Sequence, residues 1–244
     1  MSKLQGCPPP SIHVTRLFGY SKEQGNIRPK KKYIVGRGTA IVSSSKHLAM
    51  SMASEVGEEE GVYSVWAMPA PEKRQGIREV MNKLSSEFGG PSFEPHVTVV
   101  GAQRMSKADA CSRLEAACRT LTPYTCSLTQ VACGTFFYQC IYVLVDPTPQ
   151  VMQANLKASR CFGIVDKPQP YMPHLSLLYG DLPEEDKQKA KVKAESFNHL
   201  LCNTEFEVSS LCLYKTDTQD KSLQSWEKVA ECNLRDCTET ENYT

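Results

Sequence analysis

The stretch Pro95-His96-Val97-Thr98-Val99-Val100-Gly101 returns later in the chain as Pro173-His174-Leu175-Ser176-Leu177-Leu178-Tyr179-Gly180. Both copies read Pro, His, an apolar residue, a hydroxyl residue and two more apolar residues. Side chains alternate between the two faces of a β-strand, so each histidine shares a face with the hydroxyl residue two positions on. The repeat therefore predicts two lobes that face each other across one polar site.

Paired histidines and hydroxyls suit the hydrolysis of a phosphodiester. Imidazole titrates near neutral pH, so one histidine can activate the nucleophile while the other protonates the leaving oxygen. We expect His174 to be the base and His96 the acid. The hydroxyls of Thr98 and Ser176 can donate to the phosphoryl oxygens, which gather negative charge in the transition state.

We expect neither a metal nor another cofactor, because the sequence has no acidic or cysteine cluster with metal-ligand spacing. A third His-x-Thr sequence, His13-Val14-Thr15, lies in a proline-rich segment without a strand pattern. We assign it no role.

The basic residues are concentrated at the N-terminus. Residues 1–53 contain nine Lys or Arg residues and one acidic residue, Glu23, for a net charge of +8. The rest of the chain contains 19 basic and 26 acidic residues, for a net charge of −7. Nucleic-acid binding draws much of its affinity from the neutralisation of phosphates. The charge of the body therefore predicts a small phosphate ester as substrate and no stable nucleic-acid complex.

The eleven cysteines form no Cys-x-x-Cys motif, and we interpret them as buried thiols of a reducing compartment, with one or two disulfides left open. No apolar run approaches the roughly 20 residues that a membrane span needs. The N-terminus lacks the apolar core of a secretory signal. We expect a cytoplasmic monomer without membrane contact. The basic, serine-containing N-terminus also fits an organelle transit peptide, and that alternative stays open.

Hydrophobic periodicity predicts an α+β fold with an approximate internal repeat of His strand, helix, strand and strand. We divide the chain into an N-terminal extension (1–60), a body (61–237) and a short tail (238–244), and expect the extension and the tail to be disordered. The predicted strands are 62–68, 96–100, 124–133, 138–145, 174–179, 205–214 and 226–233, and the predicted helices are 72–88, 106–121, 148–160 and 182–200, with a loop at 166–170.

The chain resembles the 2H phosphoesterase superfamily, and within it the plant-type cyclic phosphodiesterases. The resemblance runs from Gly61 to Leu234 and depends on several separated phrases that agree in order. These are Val62-Tyr63-Ser64-Val65-Trp66-Ala67, the two His strands, Gly134-Thr135-Phe136-Phe137, Pro170-Tyr171-Met172 and Lys215-Thr216-Asp217-Thr218.

The resemblance implies a bilobal fold whose two lobes, with antiparallel sheets and outer helices, face a central cleft. It also implies metal-independent opening of ADP-ribose 1″,2″-cyclic phosphate, a product of tRNA splicing, and of nucleoside 2′,3′-cyclic phosphates to 2′-phosphates. By position, Trp66, Phe137 and Tyr179 are candidates for aromatic contacts with the substrate. Tyr179 stands at an odd offset from His174, so it can reach the cleft only if the strand ends or bulges before it.

Two alternatives remain at this point. An enzyme that processes or ligates RNA ends would use the same motifs on a polyanionic substrate, which the negative charge of the body disfavours. A nucleotide-binding module without catalysis would need to lack a histidine or a hydroxyl, and all four residues are present.

Overall fold

The computed structural model describes residues 60–165, 170–202 and 204–235. They form the predicted α+β structure, with the elements β1 (Gly61–Ala67), α1 (Pro71–Phe88), β2 (Val97–Met105), α2 (Lys107–Arg119), β3 (Tyr124–Cys133), a 3₁₀ turn (Phe137–Gln139), β4 (Ile141–Val145), α3 (Pro149–Cys161), β5 (His174–Leu178), α4 (Glu184–Glu195), α5 (Asn198–Leu201), β6 (Glu205–Val208), β7 (Ser210–Lys215) and β8 (Glu227–Asn233). The predicted extension, the tail, His13 and nearly all of the predicted loop 166–170 lie outside the described residues.

The eight strands form one antiparallel sheet in the order β6-β3-β4-β5-β2-β1-β7-β8. The strands β2 and β5, which carry the two histidine motifs, are central neighbours and pair at Val97 and Leu175. Each therefore belongs to its own group of four strands, β2-β1-β7-β8 or β5-β4-β3-β6. This confirms the predicted bilobal fold with one histidine strand from each lobe.

The chain crosses between the lobes after β2 and again after β6. The strands β3 and β4, which follow β2, pair in the lobe of β5. The predicted single strand 205–214 was wrong, because the chain breaks it at Ser209 into β6, which pairs with β3, and β7, which pairs with β1. A period-two pattern continues through such a break and does not show the change of partner.

The helices pack against the sheet, and two of them contact the central strand of the other lobe. In α1 the buried residues are Ile77, Val80, Met81 and Leu84, as their spacing predicted. The helix α1 contacts β5 and α3 contacts β2, so each crosses to the central strands. Ser106 accepts a hydrogen bond from the Asp109 amide and caps α2, as predicted. Within the described ranges, every helix is too short or too polar to span a bilayer.

Both histidine strands contain a β-bulge at the same place in the motif. In β2, Thr98 pairs with Trp66 and Val100 with Val65, so Val99 is an extra residue. In β5, Ser176 pairs with Tyr142 and Leu178 with Ile141, so Leu177 is extra. The two residues after each hydroxyl therefore both enter the core, and the next residue returns to the histidine face.

Side chains satisfy the carbonyls that the first bulge exposes. The Asn155 amide of α3, which is buried, donates to the Val99 carbonyl over 2.6 Å. The Tyr171 hydroxyl donates to the Thr98 carbonyl over 2.9 Å. Because a buried carbonyl without a partner is costly, these two bonds stabilise the bulged form of β2.

We predict that Asn155→Leu lowers the free energy of unfolding by about 1–3 kcal/mol, because the buried Val99 carbonyl loses its donor. The measurement is equilibrium unfolding in urea. Gln153→Leu, at an exposed position of the same helix, is the matched control and should change stability by less than about 0.5 kcal/mol. Equal losses in both variants would contradict a specific role for the Asn155 hydrogen bond.

Candidate active site

The pairing of β2 with β5 brings the four predicted residues together in a diagonal arrangement. With Val97 opposite Leu175, the antiparallel register sets His96 opposite Ser176 and Thr98 opposite His174. Each histidine thus faces the hydroxyl residue of the other lobe. The site has an approximate two-fold axis, and the repeat in the sequence is its source.

Both imidazole rings are held by the same backbone hydrogen bond. The Nδ1 atom of His96 bonds to the Glu94 carbonyl over 2.6 Å, and that of His174 bonds to the Met172 carbonyl over 2.9 Å. A carbonyl can only accept, so Nδ1 carries the proton in both neutral rings. Nε2 of each ring has no hydrogen-bond partner among the described residues. It is therefore the nitrogen that is free to exchange a proton.

Burial lowers the pKa of both histidines. Desolvation lowers the pKa of His96, the Glu94 carbonyl opposes this in part and a positive charge on His174 adds to it, so that the pKa is about 4. Desolvation also lowers the pKa of His174, and the Met172 carbonyl again opposes it. His96 is only 4% exposed, whereas His174 is partly exposed. Both rings are therefore neutral at pH 7 in the ligand-free protein.

The two hydroxyls differ in their bonding. The Ser176 hydroxyl is buried and donates to the Tyr138 carbonyl over 3.2 Å. The Thr98 hydroxyl is partly exposed and has no hydrogen-bond partner in the described part of the chain. Thr98 can thus donate to a ligand at once, whereas Ser176 must first turn its proton away from Tyr138.

Both faces of the predicted site residue Trp66 are covered by other rings. The His96 ring stacks on the indole with centroids 3.5 Å apart and an interplanar angle of 8°. The Tyr214 ring also stacks on it, at 3.9 Å and 21°. Two rings at stacking distance cannot share one face of an indole, so they cover opposite faces. Trp66 is 2% exposed and has no ring face left for a ligand.

Tyr179 lies on the histidine side, because the bulge at Leu177 reverses the alternation before it. Its ring is buried and stacks on Phe93 with centroids 3.8 Å apart. The hydroxyls of Tyr179 and Ser176 are hydrogen-bonded, and burial raises the pKa of Tyr179 well above its usual value. Tyr179 therefore meets the site through its hydroxyl and leaves little of its ring for a substrate.

Phe137 retains an accessible ring at the edge of the site. It is half-buried in the 3₁₀ turn, with its centroid 6.2 Å from that of Tyr179. The Lys221 ammonium group lies 4.9 Å from its ring centroid and forms an ion pair with Asp181. Of the three predicted aromatic contacts, Phe137 is the one whose surroundings leave it open to a ligand.

Several residues of the site were not predicted as such. Phe93 and Tyr171 each precede a histidine by three residues. The repeat therefore includes an aromatic residue two positions before each proline. Gly90 makes room for this arrangement, since it has a φ of 103° and a Cβ there would lie 2.4 Å from the Tyr179 carbonyl oxygen. No signal in a single sequence marked Tyr214, which lies far from Trp66 along the chain.

The remaining donor groups do not gather into a metal site. Within the described ranges, no three His, Cys, Asp or Glu side chains lie close enough to hold an ion. The nine described cysteines are free thiols. Burial raises the pKa of several of them, for example that of Cys126 to about 12.

The fold and the paired His-x-hydroxyl strands define a 2H phosphoesterase. Among solved structures, E. coli LigT in complex with ATP matches this chain with a TM-score of 0.50 at 16% identity, covering 72% of this chain and 98% of LigT. A crystal structure described as a phosphoesterase matches with a TM-score of 0.51 at 15% identity and covers 99% of that protein. At these identities the likeness establishes the fold.

Sequence comparison identifies the family within this class. Residues 62–240 match the family described as cyclic phosphodiesterase-like protein. The cyclic phosphodiesterase of Arabidopsis thaliana is 44% identical over 173 residues, which cover 71% of this chain and 95% of that protein. A cyclic phosphodiesterase of Triticum aestivum is 31% identical over 99 residues. The chain belongs to the cyclic phosphodiesterase-like family, whose general reaction is the hydrolysis of cyclic phosphates.

The pKa values of the two histidines can be measured directly. We predict that the imidazole nitrogens of His96 stay neutral in NMR spectra from pH 8 down to about pH 5, because its lowered pKa delays protonation to about pH 4. His174 should also take up its proton below the usual histidine range, because burial lowers its pKa. A His96 that titrates near pH 6.5 would contradict the desolvated site.

Proposed function

We propose that this enzyme opens ADP-ribose 1″,2″-cyclic phosphate to ADP-ribose 1″-phosphate, and nucleoside 2′,3′-cyclic phosphates to nucleoside 2′-phosphates, by paired histidine catalysis without a metal. The observation that carries the proposal is the symmetric pair of imidazoles, each with Nδ1 tied to a backbone carbonyl and Nε2 free. Each also has a hydroxyl of the other lobe beside it.

The reaction needs one proton removed and one supplied. Nε2 of His174 takes a proton from water as the water oxygen bonds to phosphorus. Nε2 of protonated His96 gives its proton to the leaving ester oxygen of the cyclic phosphate as the bond from phosphorus to that oxygen breaks. The products are a phosphate monoester and a free hydroxyl group. His174 then returns its proton to solvent and His96 takes one up, so the protons balance over one turnover.

The different exposure of the histidines supports this order. His174 is partly exposed, so a water molecule can approach it from solvent. His96 is 4% exposed, and in such surroundings a bound phosphate anion stabilises an imidazolium more strongly than it would in water. The order requires that the substrate anion raise the pKa of His96 from its ligand-free value of about 4.

The hydroxyls of Thr98 and Ser176 hold the two non-bridging phosphate oxygens in this scheme. Both hydroxyls lie on the central strands and not on a loop, so only the rotation of the Ser176 hydroxyl away from Tyr138 is needed before charge develops. Tyr179 supports the Ser176 hydroxyl, and Phe137 is placed to contact the organic part of the substrate. The net negative charge of the body favours a small substrate over RNA.

The proposal is tested by assaying the full chain against both substrate types with EDTA present. We expect hydrolysis to continue, and His96→Ala or His174→Ala to lower kcat by about 10²–10⁴-fold, because each removes one proton-transfer group. His199→Ala, at an exposed position, is the matched control. Full activity in both single variants would overturn the proposal, as would EDTA inhibition that a metal reverses. Salt-sensitive binding of oligonucleotides to the body would favour an RNA end as substrate.

The two hydroxyls should act mainly on the transition state. We predict that Thr98→Val and Ser176→Ala each lower kcat by about 10–10³-fold with a smaller change in KM, because the oxygens gain charge as water adds. Steady-state kinetics on a 2′,3′-cyclic nucleotide is the measurement. A rise in KM with unchanged kcat would instead assign the hydroxyls to substrate binding alone.

A further inference from the structure

Resting on the function proposed above, we propose that Trp66, backed by Tyr214, is the positioning residue of the acid: the stacked indole fixes the His96 ring and stabilises it as an imidazolium while it waits to protonate the leaving oxygen. Trp66 then acts on the reaction through His96, without a ring face of its own against the substrate.

The register explains why these three side chains meet. Trp66 pairs with Thr98 on one side and with Cys212 on the other. It therefore lies between the histidine strand β2 and the strand β7 that carries Tyr214. The result is a column of three rings in the order His96, Trp66 and Tyr214, with centroid separations of 3.5 and 3.9 Å. Tyr214 prevents the indole from moving away from the imidazole.

Three contacts together determine the orientation of the His96 ring. The indole sets its plane, at an angle of 8°. The Nδ1 bond to the Glu94 carbonyl sets its rotation within that plane. The Arg78 guanidinium bonds to the Glu94 carboxylate over 2.6 Å and so restrains the segment that supplies this carbonyl. Nε2 is the ring nitrogen that remains for the reaction.

The stacking also has an electrostatic consequence. The face of an aromatic ring is electron-rich and attracts a cation, and an indole does so most strongly. The attraction grows when water is excluded, as it is around His96 and Trp66. A protonated His96 therefore gains from the indole some of the stabilisation that it loses by leaving water.

The second histidine lacks this arrangement. The nearest ring to His174 is that of Tyr142, at a centroid distance of 5.1 Å and an angle of 62°. The two rings are steeply inclined, so Tyr142 does not lie flat against the imidazole as the indole does against His96. The two halves of the site are thus alike in sequence but unlike in their support for a positive charge, and the difference favours His96 as the acid.

The first test measures protonation without measuring activity. The His96 ring is titrated by NMR in the full-length protein with and without inorganic phosphate, in wild type, Trp66→Leu, Trp66→Phe and Tyr214→Leu. We expect the pKa of phosphate-bound His96 to be lowest in Trp66→Leu, intermediate in Trp66→Phe, which keeps an aromatic face, and slightly lowered in Tyr214→Leu. The pKa of His174 should change less than that of His96, because His174 interacts with the His96 charge but not with the indole. An unaltered His96 pKa in both leucine variants would overturn the proposal.

The second test asks whether Trp66 acts through the acid. We expect Trp66→Leu to lower kcat about five- to thirtyfold with KM changed by less than about threefold. The loss should be equal for a nucleoside 2′,3′-cyclic phosphate and for a ribose 2,3-cyclic phosphate without a base. It should nearly vanish for an analogue with sulfur as the bridging leaving atom, because a thiolate leaves without an acid.

Other outcomes identify which idea has failed. A rise in KM confined to the substrate that carries a base would make Trp66 a substrate platform and overturn the proposal. A loss of kcat that sulfur does not relieve would also overturn it. Absence of cyclic phosphate hydrolysis by wild type would refute the proposed function, while the NMR titration would still decide the role of the stack. If Trp66→Leu does not fold, Tyr214→Leu and Trp66→Phe carry both tests.

Discussion

The antiparallel contact between the two histidine strands is the constraint on which the site depends. The pairing of Val97 with Leu175 means that the neighbours of these residues face the opposite side of the sheet from the core. It also places each histidine beside the hydroxyl of the other strand. A slip by one residue would turn the histidine and the hydroxyl of one strand into the core. One register thus assembles two imidazoles and two hydroxyls around a single point.

The core side of the sheet is built to hold this register. Val97 and Leu175 pack in the same apolar core as Ile77 and Leu84 of α1, so slipping would expose apolar surface on one face and bury polar groups on the other. The two bulges would weaken the strands if their carbonyls lacked partners. At the bulge of β2, the Asn155 amide donates to the Val99 carbonyl and the Tyr171 hydroxyl donates to the Thr98 carbonyl.

Local patterns predicted much of this structure, and long-range pairing did not follow from them. The helical spacing in α1, the Ser106 cap and the alternation around both histidines each depend on residues that are close together in the sequence. A local pattern is therefore enough to predict them. The pairing of β7 with β1 after the break at Ser209 and the stacking of Tyr214 on Trp66 both join residues about 150 positions apart. The sequence indicated a bulge only in β5, as one of two conditions under which Tyr179 faces the site, because two apolar residues in a row fit a bulge and a buried strand equally well.

A two-fold repeat supplies the right groups, but equal groups are not sufficient for acid–base catalysis. Two imidazoles in identical surroundings would hold a shared proton equally well, and half of that population would have its acid on the wrong side of the phosphorus. The two motifs carry the same groups, but the surroundings of His96 differ from those of His174. His96 is enclosed and stacked face to face on an indole, whereas His174 meets a steeply inclined tyrosine ring and is partly open to solvent. The asymmetry comes from β1 and β7, which lie outside the repeated phrase, so the residues that give the two histidines different roles are found in the strands beside them.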